Sequence, residues 1–297
     1  MSMGTGMGSN ALVIRKLTAV SDLVRLPKQY GTLLVLWPTL WSLFIASDGS
    51  PTVRNLFIFI AGTFLMRSAG CAINDVADRN FDPYVERTRS RPLANGRLNV
   101  KEALLVFAAL VSLSFIAVLF LNRLTIALSF IGLLLAVVYP FVKRVSHWPQ
   151  AFLGMAFGWG AVMSWSAATG TIGWVPLLIF VANVCYSIAY DTIYALMDRE
   201  DDLKIGVKST AIYFGDSVYA ALNAAYLLMT VLLAATGYLS GLGPVYFGGL
   251  ASGLMIFLWI VSVLKRTPTR AMAFKGFIGN VVAGGVILAA IVIDMRL

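Results

Sequence analysis

Charged side chains are scarce in this sequence. Only 12% of its 297 residues are Asp, Glu, Lys or Arg, whereas 59% are hydrophobic and the mean hydropathy is +0.82. Soluble domains carry roughly twice this charged fraction. Apolar stretches of about 20 residues recur along the whole chain, and the runs are apolar nearly all round instead of alternating as barrel strands do. The sequence therefore predicts an all-α, polytopic membrane protein in a lipid bilayer, with no sign of a nucleic-acid partner.

Histidine and cysteine are also rare. The one histidine, His147, falls in a predicted loop, so a zinc site or a histidine-based acid–base mechanism is not expected. Cys71 and Cys185 lie in apolar segments, and we interpret them as two buried small residues rather than a disulfide or a metal pair. Residues 1–10 are rich in Gly, Ser and Met, with no apolar signal region after them, and are predicted to be a disordered lead-in without a cleaved signal.

Nine apolar segments are long enough to be transmembrane helices. They are residues 30–47, 53–73, 100–121, 125–142, 149–168, 172–196, 218–238, 245–264 and 271–293. We divide the chain accordingly into an N-terminal cytoplasmic segment, residues 1–29, and one transmembrane domain, residues 30–297.

Basic residues are distributed unevenly about these spans. Nineteen of the 23 lysines and arginines precede the first span or lie in or beside alternate connections, and only three fall on the opposite side. The positive-inside rule assigns the nineteen to the cytoplasm. An odd number of spans then leaves Leu297 on the other side of the membrane.

Acidic residues are pooled in two places. Nine of the fourteen lie after the second span or at the end of the sixth, both on the predicted cytoplasmic side: Asp75, Asp78, Asp82, Glu86, Asp191, Asp198, Glu200, Asp201 and Asp202. On helices, Asn74, Asp78 and Asp82 would share a face, and so would Asp191, Asp198 and Asp202. Each stretch would then direct a ladder of oxygens one way from the end of a span.

Like charges on one helix face repel, so these ladders need a counterion. Mg²⁺ is held by one or two carboxylates and shares its remaining shell with water and phosphate oxygens. Neighbouring bases suit the charge of a diphosphate; they are Arg79, Arg87, Arg91, Lys204 and Lys208. The alternative is a pair of solvated loops in which acids and bases pair locally.

Arg67 lies inside the second span. It precedes Asn74 by seven residues and Asp78 by eleven, which places it two to three turns deeper on the same helix face. An intramembrane arginine is costly and is a candidate for a functional site. A structural pairing with a helix carbonyl or a carboxylate remains the alternative.

The two acidic stretches and their flanks resemble the UbiA superfamily of intramembrane prenyltransferases. The first reads Asn74-Asp75-x-x-Asp78-x-x-x-Asp82, and the second reads Asp198-x-x-x-Asp202. The second stretch, with its flanks, is similar in particular to the 4-hydroxybenzoate polyprenyltransferase branch. The resemblance implies nine helices around a central cavity capped by cytoplasmic loops. It also implies Mg²⁺-dependent transfer of a polyprenyl group from its diphosphate to 4-hydroxybenzoate, in ubiquinone synthesis.

The resemblance suggests residue roles. It implies metal ligation by Asn74, Asp78, Asp198 and Asp202, with Asp75, Asp82 and Asp201 as supporting residues. We place Asp82 and Asp201 in the metal set, and Asp75 with Arg67 and Asp191 in the catalytic set. Asp191 is positioned to polarise the phenol or take its ring proton, although it is equally well placed to be one more metal-shell carboxylate. The cation for the acceptor's carboxylate is Arg67, Lys143 or Arg144, and the last two are equally plausible as topology anchors.

Other functions remain open from the sequence. A related prenyltransferase could use homogentisate or a dihydroxynaphthoate as its acceptor. A cation-coupled transporter is a rival from another class, although its acids should lie near the bilayer midplane. The expected location is the bacterial inner membrane, or the mitochondrial inner membrane in a eukaryote.

Overall fold

Every element of the described chain is helical. The computed structural model describes the backbone of residues 5–297 and, except for Ile205, the side chains from residue 11 onward. The twelve α-helices are α1 Thr5–Leu23, α2 Tyr30–Ala46, α3 Val53–Asp78, α4 Val100–Val118, α5 Arg123–Val142, α6 Pro149–Thr169, α7 Trp174–Ala195, α8 Arg199–Ile205, α9 Thr210–Tyr213, α10 Val218–Leu239, α11 Pro244–Arg266 and α12 Arg270–Asp294. Short 3₁₀ turns occur at Asp82–Tyr84 and Gly215–Ser217.

Eight helices within residues 5–297 are long and apolar enough to cross a membrane: α3 to α7 and α10 to α12. Each corresponds to one of the predicted spans. The remaining predicted span is α2, which is apolar but has only 17 residues. At 1.5 Å per residue this helix is about 25 Å long, which is short of a hydrocarbon core of about 30 Å. The structure thus supports a polytopic helical membrane protein with eight clear spans.

The N-terminal region differs from its prediction. Residues 5–10 were expected to be a disordered lead-in, but they form the start of α1; residues 1–4 lie outside the described part of the chain. Ala19 and Leu23 of α1 are fully buried against Ala72 and Val76 of α3. The prediction was therefore wrong from residue 5, since residues 5–10 extend a helix whose C-terminal half is held by this tertiary contact.

The largest core cluster lies where α7, α10, α11 and α12 meet. The rings of Tyr226 and Phe257 stack there at 4.4 Å with an angle of 3° between their planes. The buried Asn280 ties three helices together, since its backbone carbonyl accepts from the Tyr186 hydroxyl at 2.6 Å and its side-chain oxygen accepts from Tyr226 at 2.8 Å. These bonds satisfy polar groups that would be costly in an apolar interior.

A glycine allows α2 to pack closely against α12. A Cβ atom at Gly284 would lie only 2.2 Å from the Trp37 ring. The indoles of Trp37 and Trp41 donate to the carbonyls of Val281 and Gly284 at 2.9 and 3.2 Å. Small residues commonly permit such close approach between membrane helices. The seam between α2 and α12 is therefore closed by two hydrogen-bonded tryptophans.

Neither acidic stretch continues as one helix. In the first stretch, α3 ends at Asp78, and Asp82 follows in a 3₁₀ turn. In the second stretch, α7 ends at Ala195, and Asp198 then precedes the short helix α8. The prediction of two helical ladders was therefore wrong beyond Asp78 and between residues 195 and 199. In α8 the acids occupy the first turn, where the helix dipole favours negative charge.

Candidate active site

A cavity of about 760 Å³ opens where the two acidic stretches meet. We call this end of the bundle the motif end. The cavity is lined by the last turns of α3, α5 and α7, the first turns of α2, α6 and α12, and the connections after α3 and α7. Eleven of the predicted site residues line it: Arg67, Asn74, Asp78, Asp82, Arg87, Arg91, Lys143, Asp191, Asp198, Asp202 and Lys208.

Asp78 is the most heavily contacted acid of the first stretch. One of its carboxylate oxygens accepts from the Asn74 amide at 3.0 Å and from the Lys143 ammonium at the end of α5. Arg91 lies 3.9 Å from the same oxygen. The other oxygen, Oδ1, is buried and has no hydrogen-bond partner among the described residues. Asp78 thus keeps one oxygen available for a ligand.

Arg91 holds the rest of the first stretch together. Its Nη1 lies 2.9 Å from Asp82 and 3.2 Å from Asp75. Burial raises the pKa of Asp82 and Arg91 lowers it, while Asp78 and Asp75 add to the increase. Burial alone would lower the pKa of Arg91, but the carboxylates of Asp75, Asp82 and Asp78 hold it above its ordinary value. The guanidinium therefore stays charged at the centre of three acids.

The second stretch is held by Arg87. Its Nε donates to both oxygens of Asp198, at 2.9 and 3.0 Å, and its Nη1 donates to the Tyr194 hydroxyl at 2.8 Å. The guanidinium also lies 4.7 Å from the centre of the Tyr194 ring. Burial, and then repulsion from Asp198, raises the pKa of Asp202 to about 7. Protonated and ionised forms of Asp202 are therefore both populated near neutral pH.

Five predicted site residues do not line the cavity. Asp75 is fully buried behind it, where it pairs with Arg91. Asp201 faces Lys204 at 3.7 Å and Arg270 at 3.6 Å. The exposed Arg79 donates to the Val76 carbonyl at 2.8 Å, and Lys204 is largely exposed. Arg144 donates to the Ala77 carbonyl and packs on the rings of Phe81 and Phe141.

Arg67 lies at the inner end of the cavity, next to a second, apolar cavity of about 370 Å³ between α2, α3, α4, α5 and α6. Arg67, Tyr139 and Phe157 line both cavities. The guanidinium contacts the Cys71 thiol and lies 6.0 Å from the centre of the Phe157 ring, and its buried Nε has no hydrogen-bond partner among the described residues. Arg67 therefore presents an unsatisfied donor where the polar cavity becomes apolar.

Asp191 lies deeper than Asp198 on the α7 side of the cavity. It is half-buried and follows the fully buried Tyr190, and both residues line the cavity. The chain turns away after Ala195, so Asp191 and Asp198 reach the cavity from different elements. The structure brings the two acids to one cavity wall without the shared helix face that the spacing predicted.

Arg25 is a cavity residue that sequence reasoning missed. It follows α1 with a φ of +57°, donates to the Asp22 carbonyl at 2.7 Å and pairs with Asp75 at 2.6 Å. In the sequence it appeared only as one of the basic residues before the first span. The positive φ and the partner fifty residues away leave no local signal, so only the tertiary structure could identify it.

The acids fit a metal that is shared with a phosphate ligand better than one held by protein alone. Within the described part of the chain, no group of three His, Cys, Asp or Glu side chains is arranged to hold a metal ion. The acids are instead matched by Lys143, Arg87 and Arg91. Mg²⁺ typically takes only one or two carboxylates and shares its shell with substrate phosphates, and the free Oδ1 of Asp78 is an oxygen ligand of the required kind.

These features define a helical membrane protein whose charged cavity adjoins an apolar one. A model of the UbiA prenyltransferase family matches residues 35–281, and the chain belongs to that family. It is 50% identical over 273 residues to a 4-hydroxybenzoate octaprenyltransferase of Azotobacter vinelandii, covering 92% of each chain. It is also 50% identical over 280 residues to a 4-hydroxybenzoate octaprenyltransferase of Nitrosococcus oceani, covering 93% of this chain and 97% of the relative.

Solved structures share the fold at lower identity. The apo structure of a UbiA homolog from Aeropyrum pernix K1 matches with a TM-score of 0.76 and 24% identity, over 88% of this chain and 98% of the other. A UbiA homolog from Archaeoglobus fulgidus, bound to GPP and Mg²⁺, matches with a TM-score of 0.64 and 17% identity, over 92% of this chain and 99% of the other. The arrangement of helices is thus that of known UbiA proteins.

Proposed function

We propose that this protein transfers a polyprenyl group from polyprenyl diphosphate to the ring of 4-hydroxybenzoate, ortho to the hydroxyl, as a step of ubiquinone biosynthesis. One observation carries the proposal: a cavity lined by two acidic motifs and several bases adjoins an apolar cavity through Arg67, Tyr139 and Phe157. The first suits a diphosphate, and the second suits its isoprenoid chain. Identity of 50% to two 4-hydroxybenzoate octaprenyltransferases over nearly their full length supports this acceptor.

The acids of both motifs would hold Mg²⁺, which offsets the negative charge that develops on the leaving diphosphate. Its ligands would come from the cavity-lining set Asn74, Asp78, Asp82, Asp198 and Asp202. Asp75 and Asp201 lie outside this set, and we assign them to positioning: Asp75 orients Arg25 and Arg91, and Asp201 faces Arg270.

The bases that neutralise these acids would exchange partners when the donor binds. Lys143 contacts Asp78, Arg87 contacts Asp198, and Arg91 contacts Asp82. With the carboxylates turned to a metal, these cations and Lys208 would be free to contact phosphate oxygens. The exchange would keep Lys143, Arg87 and Arg91 paired in both states, which avoids a large desolvation cost for these three cations. Arg79 and Lys204 lie outside the cavity, and we assign them to electrostatic attraction of the anionic donor.

The acceptor's carboxylate would bind Arg67. This guanidinium lies where the two cavities meet and its buried Nε has no partner among the described residues, whereas Lys143 is engaged by Asp78 and Arg144 donates to the Ala77 carbonyl outside the cavity lining. A charged donor with an open hydrogen-bond site is suited to an anionic ligand. The phenol ring would then lie between the diphosphate and the apolar cavity.

The reaction follows from this placement. The allylic C–O bond breaks, its electron pair leaves with the diphosphate, and the electron-rich ring attacks the resulting cation. Asp191 lines the same cavity and takes the ring proton that is lost, or polarises the phenol before the attack. Tyr139 and Phe157 flank the point where the cation forms and help to keep water away from it.

The apolar cavity would hold the first isoprene units of the donor. It is lined mainly by apolar groups of α3, α4, α5 and α6, among them Phe59, Phe115 and Trp159. The seam between α2 and α12 is closed by the hydrogen-bonded Trp37 and Trp41. A longer chain would therefore leave toward the lipid between α3, α4 and α5.

We place the protein in the inner membrane of a bacterium, with α2 completing nine spans. The side chains of Trp37 and Trp41 bury α2 within the bundle, so neighbouring helices compensate for its short length. The excess of basic residues at the motif end supports a cytoplasmic position for that end under the positive-inside rule. The connections after α3 and α7 then cap the cavity on the cytoplasmic side, and Leu297 lies on the opposite side.

Product analysis with purified protein in phospholipid vesicles tests this function. The protein should convert 4-hydroxybenzoate and octaprenyl diphosphate to a product prenylated next to the hydroxyl, as shown by mass spectrometry and proton coupling on the ring. Homogentisate and 1,4-dihydroxy-2-naphthoate, supplied under the same conditions, should react far more slowly. Faster use of either one would replace the proposed acceptor, and diphosphate release with none of the three would refute aromatic prenyl transfer.

A further inference from the structure

Helix α1 presents three different surfaces along its length. One surface faces the protein, where Ala19 and Leu23 are fully buried. A second is polar and carries Arg15, Thr18 and Asp22. The third is apolar and open, with Val13 exposed by 53% and Leu17 by 64%. At 100° per residue, Val13 and Leu17 lie on one stripe, and Thr18 lies about a quarter turn from Leu17.

Ion pairs fix α1 against the motif end of the bundle. Lys16 contacts Glu102 at 2.6 Å, in the first turn of α4, and Asp22 contacts Arg97 at 2.6 Å, just before that helix. Ala19 and Leu23 pack against α3 and the start of α4. The position of the open apolar stripe is therefore set by specific contacts and does not result from a detached terminus.

The helix that holds α1 through Glu102 faces lipid. α4 is one of the membrane-spanning helices, and few of its residues are buried inside the protein. Leu104 and Leu105, one turn from the Glu102 that holds α1, are exposed by 41% and 70%. Leucines exposed on a span contact the bilayer. Residues so close to the start of a span lie near the headgroup boundary.

Exposed positive charge accompanies this surface. Arg15 on α1 and Lys101 at the start of α4 are exposed, and neither forms an ion pair among the described residues. Helices with an open apolar stripe and bases on the polar side lie in the membrane interface, where the bases meet lipid phosphates. The chemistry of α1 matches a lipid surface and gives no reason to expect a protein partner.

We propose that α1 is an interfacial helix, bound to the leaflet on the motif side with Val13 and Leu17 in the acyl boundary and Thr18 toward water. This contact has a structural consequence for the site. The residues that end α1 carry Asp22 and Arg25 to the cavity wall, and Arg25 reaches Asp75 at 2.6 Å. Lipid binding by α1 thereby supports one rim of the cavity.

Nitroxide labels in vesicles of phosphatidylethanolamine and phosphatidylglycerol test the proposal. Labels are attached in three separate full-length variants, Leu17→Cys, Thr18→Cys and Leu105→Cys. Wild-type protein treated in the same way serves as the control for background labelling of the buried Cys71 and Cys185. Collision rates are then measured with oxygen, which concentrates in lipid, and with a water-soluble nickel chelate. The ratio of oxygen to nickel collisions at position 17 should match that at position 105 and exceed that at position 18 several-fold.

Two results would overturn the proposal. A ratio at position 17 as low as that at position 18 would place the stripe in water. Exclusion of both reagents at position 17, with spin–spin broadening between molecules, would show that a second copy of the chain covers it. Because all three positions are exposed, the labels should not disturb folding, and none of the readouts depends on prenyl transfer.

Discussion

Replacing Arg67 by glutamine removes the positive charge at the junction of the two cavities. The guanidinium there has a buried, unpaired Nε, and its described polar neighbour is the Cys71 thiol. No carboxylate among the described residues forms an ion pair with it, so the substitution breaks no salt bridge, although Asp191 lies within range of its charge. The variant therefore isolates the contact that we assign to the acceptor's carboxylate.

The expected loss follows from the type of bond. A hydrogen bond to a charged group contributes about 1.5–3 kcal/mol, and each 1.4 kcal/mol is about a factor of ten. The kcat/KM for 4-hydroxybenzoate should fall by about 10- to 150-fold in Arg67→Gln. Arg67→Lys keeps the charge without the planar fork and should lose less. The KM for the polyprenyl diphosphate should change less, since Arg67 is not among the bases that we assign to the diphosphate.

A second acceptor makes the test specific. In p-cresol a methyl group replaces the carboxylate, so wild type and Arg67→Gln should use it with nearly equal kcat/KM, and the difference between the two acceptors measures the carboxylate contact. Steady-state kinetics with each substrate varied in turn gives all four values. The assignment is wrong if both acceptors lose activity equally, or if only the KM of the donor rises.

Three further predictions use the same assay. Burial raises the pKa of Asp202 to about 7, and its proton must leave before metal binds, so the apparent Mg²⁺ affinity should weaken as pH falls below 7, by at most about tenfold per pH unit. In Asp202→Asn this pH dependence should flatten, and an unchanged slope would exclude Asp202 as a metal ligand. Gly62 lines the apolar cavity, so Gly62→Leu should reduce kcat/KM for octaprenyl diphosphate more than for geranyl diphosphate. The control Gly248→Leu, at a glycine with open space around it, should alter kcat/KM for neither donor. Equal effects of Gly62→Leu on both donors would exclude binding of the isoprenoid chain in the apolar cavity. A Cβ at Gly31 would lie 2.9 Å from the Arg67 guanidinium. Gly31→Ala should therefore lower kcat/KM for 4-hydroxybenzoate more than for p-cresol, as Arg67→Gln does but to a smaller extent. Wild-type kinetics in Gly31→Ala would show that the Arg67 side chain adjusts without loss of activity.

The sequence predicted the membrane helices well because their apolar runs are continuous and their ends are local. Eight predicted spans correspond to long apolar helices, and the pooled acids do meet at one cavity. Residue type also singled out Arg67, because an arginine within an apolar span is costly, and the structure places it in the lining of the cavity. In each case the signal lies within about twenty neighbouring residues.

Long-range pairing could not be predicted in this way. Asp75 resembles its neighbours in the motif, yet it is turned behind the cavity toward Arg25, fifty residues earlier. Helical spacing also failed after Ala195, where α7 ends and Asp198 belongs to a separate short segment. The apolar cavity is formed by five helices, so no single stretch of sequence reports it.

Donor binding is the measurement that tests the central claim most directly. Radiolabelled polyprenyl diphosphate is titrated onto wild-type protein and onto the variant with Asp78→Asn and Asp198→Asn, with Mg²⁺ or with excess chelator and without acceptor. We predict tight binding only for wild type with Mg²⁺, and a large loss in the variant, because one acid from each motif no longer binds the metal. Equal binding with chelator, or wild-type affinity in the variant, would contradict the proposal that the two acidic motifs form a metal–diphosphate site.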